Sequence, residues 1–188
     1  PWAYERINRW NAEAIDPNRS FRKKSPAQES AALMRLVEPL GDRIRLHIDL
    51  HETTDTDESE FRPALAARDG LVYEPGEIPD GFYTVGDTEN PQSEFQQAVI
   101  AAVAKVTHIA PADGNGEIIG STVVAPGIIE YPFKRLGLCA GMNSARDASS
   151  TGEDADSPRA TPRPRHPAPV AAVVGAIDFM LAHEQRPV

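Results

Sequence analysis

Apolar and polar side chains alternate most cleanly over residues 43 to 51, "RIRLHIDLH". Ile44, Leu46, Ile48 and Leu50 share one parity, and Arg45, His47, Asp49 and His51 share the other. Successive strand side chains point to opposite faces, so this segment is predicted to be a strand with one core-facing side. Upstream, "SPAQESAALMRLVEPL" (25–40) predicts a helix: Ser25 can cap it, Pro26 suits its first turn, and Gln28 completes a capping box. "SEFQQAVIAAVAKVT" (93–107) predicts a second, with Phe95, Val99, Val103 and Val106 on one stripe. "ADGNGE" (112–117) reads as a turn, and "EIIGSTVVAPGIIEYP" (117–132) as two short strands parted by Pro126-Gly127. The apolar run 170–184 predicts a closing helix. Helices and strands alternate, which gives an α/β class with a mixed central sheet flanked by helices.

Prolines crowd 158–169 and predict an exposed connection there. The expected organisation is therefore 1–153 as the body of one domain, 154–169 as connection, and 170–188 as its closing helix. A length of 188 residues suits such a domain. The net charge of −9 argues against a nucleic-acid surface. The longest apolar run, 170–182, is too short to span a bilayer and is broken by Asp178, so no membrane partner is expected. A lone cysteine, Cys139, offers no internal disulfide and fits a reducing, cytoplasmic setting.

The polar face of the first strand ends on His51, where the strand gives way to "ETTDTDESE" (52–60). Asp55, Asp57 and Ser59 fall at calcium-loop spacing, but Glu60 stands where the sharp-turn glycine belongs, so the segment is read as a solvated acidic loop. Asp49 can orient an imidazole at 51, and His47 is read as structural. Upstream lies "DPNRSF" (16–21). Asp-Pro-Asn is good turn chemistry, and a guanidinium at Arg19 with an amide at Asn18 can grip a carboxylate through paired charge-assisted bonds.

"DPNRSF", followed about thirty residues later by "IDLHET" (48–53), resembles the zinc carboxypeptidase superfamily, which includes the succinylglutamate desuccinylase and aspartoacylase branch. The resemblance covers residues 1 to about 153. It implies a carboxypeptidase-like fold, a catalytic Zn2+ held in part by His51, and cleavage of an amide bond next to a carboxylate. It also implies that Asn18 and Arg19 bind the substrate carboxylate, that Arg9 polarises the scissile carbonyl, and that Tyr131 contacts substrate. Either Glu130, in a strand, or Glu153, 22 residues after Tyr131, would be the general base; the order of the motifs favours Glu153. The substrate would be a peptide C-terminus or an N-acyl amino acid.

A catalytic zinc takes about three protein ligands. The family draws two from an upstream His-x-x-Glu, and none of the five histidines here is followed by glutamate three residues later. The expectation is an N-terminal segment, outside this sequence, that supplies those ligands. The competing reading is a non-catalytic carboxylate-binding module, or one piece of an enzyme assembled from two segments.

Overall fold

The computed structural model describes residues 2–6, 8–159 and 167–183. Its strands are β1 (Leu46–Leu50), β2 (Phe82–Asp87), the small hairpin β3 (Glu117–Ile118) with β4 (Ser121–Thr122), β5 (Ile128–Tyr131) and β6 (Asp147–Glu153). The helices are α1 (Trp2–Arg6), α2 (Gln28–Val37), α3 (Arg62–Asp69), α4 (Ser93–Val103), α5 (Phe133–Leu136) and α6 (Pro167–His183). The main sheet has the order β1-β6-β2-β5. β1 runs parallel to β6, β2 antiparallel to β6, and β2 parallel to β5. The fold is thus mixed α/β around a mixed four-stranded sheet.

Helices α4 and α6 cover one face. Phe82 of β2 is buried there with Phe95, Val99 and Val103 of α4 and with Ala168, Ala172 and Ala176 of α6, and Leu46 and Ile48 of β1 pack against them. Each large side chain buried here contributes about 1.5–3 kcal/mol. The alanine stripe brings α6 close to α4. A Cβ on Gly175 would collide with the Cβ of Ala102, so even one methyl at that position would push the helices apart. On the opposite face Tyr83, Val85, Ile129, Phe133, Leu138 and Ala140 form a second core, which is the floor of the site described below.

The strand expected over 43–51 forms as β1, with Leu46 and Ile48 toward α6 as the alternation demanded. The helices expected at 25–40 and 93–107 form over shorter spans. At α2 the expected cap is displaced: Ala27 is the N-cap, and the Ser25 hydroxyl accepts the Ala27 N–H at 3.2 Å instead of capping the first turn. The segment 117–132 holds three strands, not two. The acidic run is not an open loop throughout, since Asp57–Phe61 forms a π-type turn that leads into α3. The closing helix starts at Pro167, because prolines in a first turn forfeit only N–H groups that have no helical partner. Residues 160–166, the heart of the expected connection, lie outside the described residues.

β6 forms without a strand signal of its own. "DASSTGE" reads as a poor strand, yet it is central and six of its seven residues are buried. Its hydroxyls are tolerated there because they have partners. Ser149 Oγ donates to Gln96 Oε1 at 2.9 Å, and Gln96 Nε2 donates to the carbonyl of Ala148 at 2.9 Å. No described helix is long and apolar enough to cross a membrane.

Candidate functional site

The site is built outward from a tight turn. Asp16 caps a short 3-10 turn, Pro17–Arg19, by accepting the Asn18 N–H at 2.9 Å, and Pro17 occupies its first position. Ser20 Oγ donates to the carbonyl of Asp16 at 2.8 Å, and Ser30 Oγ of α2 donates to that of Pro17 at 2.7 Å. The turn rests on Gly137, whose φ of +67° suits glycine and where a Cβ would stand 2.8 Å from the carbonyl oxygen of Arg19. The backbone that carries Asn18 and Arg19 is therefore fixed on three sides.

Asn18 uses both ends of its amide. Oδ1 accepts the backbone N–H of Cys139 at 2.8 Å, and Nδ2 stands 2.9 Å from Nε2 of His51. The same ring nitrogen lies 2.8 Å from Asp49 Oδ2. One nitrogen thus faces a donor and an acceptor. It accepts from Asn18 when the proton is on Nδ1 and donates to Asp49 when it carries a proton itself. Asp49 lies on the same face of β1 as His51, as the alternation predicts.

Arg9 is neutralised by two acids: Nε donates to Asp16 Oδ2 at 3.0 Å and Nη1 to Asp57 Oδ1 at 3.3 Å. Arg19 differs. Its Nη1 donates to the carbonyl of Asn18 at 2.8 Å, and among the described residues no carboxylate lies within ion-pair distance of it. Arg19 is exposed through the mouth of the cleft while protein crowds its head. That crowding lowers its pKa, opposed by the field of Asp16 and reinforced by the like charge of Arg9.

Arg9, Asn18, Arg19, His51 and Tyr131 line one cleft of about 510 Å3, with Phe61, Leu65, Ile119 and Leu138 as its apolar walls. Five side chains singled out in the sequence thus meet in one place. The Tyr131 hydroxyl is steadied by Ser121 Oγ, which donates to it at 3.2 Å.

The two candidate bases do not join them. Glu130 alternates with Ile129 and Tyr131 of the cleft side, and its Cγ lies 3.4 Å from where a Cβ of Gly86 would be, beside Gln96 of α4. Glu153 is paired with Phe82, whose ring is in the core under α4 and α6. Both glutamates therefore belong to the helix-bearing face of the sheet. The cleft face of β6 at that level holds Gly152, paired with Tyr83. The phenol ring of Tyr83 fills the space that a side chain at 152 would need.

Behind the cleft, His47 Nδ1 accepts from Asn143 Nδ2 at 3.0 Å, and burial lowers its pKa, opposed by Asp49. Burial also pushes the Cys139 thiol up to about 12, with Asp49 adding to the effect. Among the described residues no three His, Cys, Asp or Glu side chains are grouped so as to hold a metal ion.

The sequence reading missed Asp16 as the residue that caps the turn and pairs with Arg9, although its place before Pro17 carries that signal. It also missed the Cys139 N–H and the Tyr83–Gly152 packing, which no local pattern announces. No protein-family model matches the chain, and no curated protein matches it.

Proposed function

We propose that the chain carries the substrate-carboxylate side of a zinc-dependent hydrolase of the carboxypeptidase type, cleaving an amide next to a carboxylate. The observation that supports this most is Arg19, a cleft cation with no ion-paired acid among the described residues, set beside an asparagine that touches His51. A planar guanidinium grips a carboxylate through two parallel charge-assisted bonds, and the neighbouring Tyr131 hydroxyl can complete the cradle. The apolar walls suit the side chain of a C-terminal residue or of an N-acyl amino acid.

The described donor set does not by itself fit a catalytic zinc, which takes about three protein ligands. It offers one cleft imidazole, His51, already held by Asp49. In this reading His51 is one ligand, and the remaining ligands come from a further segment or chain.

A second reading, a carboxylate-binding module without catalysis, is favoured by one observation: Glu130 and Glu153 both lie on the face away from the cleft. One experiment separates the two. The protein, isolated with zinc and with any ligand-bearing segment present, is assayed against an N-acyl amino acid and the corresponding C-terminal amide. Cleavage of the acid alone supports the hydrolase. Binding of the acid without cleavage supports the module, and binding of neither contradicts both.

A further inference from the structure

A second hollow, of about 620 Å3, is lined by the segment that follows the Pro17–Arg19 turn, by α2 and the residues after it, and by the 142–144 loop, and shares no lining residue with the cleft. Four cations line it: Arg22, Lys23, Lys24 and Arg35. Two acids line it as well, Glu38 and Asp42, leaving an excess of two positive charges. The chain as a whole carries −9, so this local excess runs against the overall composition.

None of the four cationic heads has an ion pair or side-chain hydrogen bond among the described residues, whereas Arg9, Arg62, Arg68 and Arg159 are each paired with acids. Four exposed, unpaired cations lining one hollow give it a positive local field, which favours an anion. The lining also has an apolar part, from Met34, Val37, Ile44 and Met142, and a neutral polar part, from Ser25, Asn143 and Ser144. A bare inorganic ion would leave the apolar side chains uncovered. An anion with a compact charged head and an apolar body would use both halves.

We propose that this hollow is a binding site for a small phosphate monoester with an aromatic or aliphatic body, separate from the carboxylate cleft. The three basic residues of "RKK" (22–24) and Arg35 hold the phosphate, and the two methionines cover the body. Phosphate is favoured over a single carboxylate because the local excess of two positive charges matches a dianion better than a monoanion.

The test uses the whole chain and phenyl phosphate as probe, with inorganic phosphate, benzoate and phenol beside it. Calorimetric titration should give saturable one-to-one binding of phenyl phosphate, at least tenfold tighter than either inorganic phosphate or benzoate and weakened by added salt. The methyl resonances of Met34 and Met142 should shift with the same midpoint. Arg22→Gln with Arg35→Gln, both at exposed positions, should weaken binding at least tenfold with an unchanged thermal midpoint, and Arg19→Ala should leave it intact. Equal affinity for benzoate, indifference to the double substitution, or loss of binding in Arg19→Ala would each overturn the proposal.

Discussion

The side-chain amide of Asn18 stands 2.9 Å from Nε2 of His51, although 33 residues separate them in sequence. This contact joins the 3-10 turn to the end of β1, and the other end of the same amide joins both to the backbone of Cys139. Asn18→Ala removes both bonds and leaves the Cys139 N–H without its acceptor. Urea unfolding should show a loss of about 1–3 kcal/mol, the cost of an unsatisfied buried polar group. An unchanged midpoint would mean that the turn does not need the amide.

Tyr83 and Gly152 are packed so closely that no side chain fits at 152. Gly152→Ala should cost about 1–3 kcal/mol, as overpacking does. Combining it with Tyr83→Leu, which clears the space, should recover most of that loss. A double-mutant cycle checks this, and strictly additive costs would show that the ring is not the obstacle.

His47 is kept neutral by burial, below its ordinary value of 6.5. As pH falls through about 6.5, the unfolded chain takes up a proton that the folded chain refuses, so stability declines with falling pH in the window just below that value. His47→Gln should flatten this part of the profile. Thermal midpoints between pH 5 and 7.5, measured for both proteins, give the comparison, and parallel profiles would assign the slope elsewhere.

The parts of this structure that were legible in the sequence are those with a local signal. β1 follows from alternation, α4 from its apolar stripe, and the turn at Asn18 from Asp-Pro-Asn. The cleft side chains were legible as two motifs plus Arg9 and Tyr131. β6 was not, because its polar residues are buried only through partners such as Gln96, more than fifty residues away. The same cause hid the orientation of Glu153. Its side of the sheet is set by the pairing of β6 with β2, and a shift of one residue would move it to the other face. Glu130 has the same difficulty, since alternation assigns it a parity but only the packing of α4 says which parity faces the cleft.

Zinc alone should bind weakly to residues 1–188, because His51 and Asp49 do not make up a tetrahedral site. Calorimetric titration of zinc into the chain measures this. A tight one-to-one site abolished by His51→Ala would show that the other ligands lie within these residues.

The most direct measurement is the affinity of the cleft for an N-acyl amino acid against its C-terminal amide, in the unaltered protein and in Arg19→Ala and Arg19→Lys. The acid should bind more tightly than the amide, and Arg19→Ala should weaken it by about 1.5–3 kcal/mol, the range for hydrogen bonds to charged groups. Arg19→Lys should recover little, since a lysine cannot offer the paired donors of a guanidinium. Equal affinity for acid and amide in the unaltered protein would contradict the carboxylate clamp.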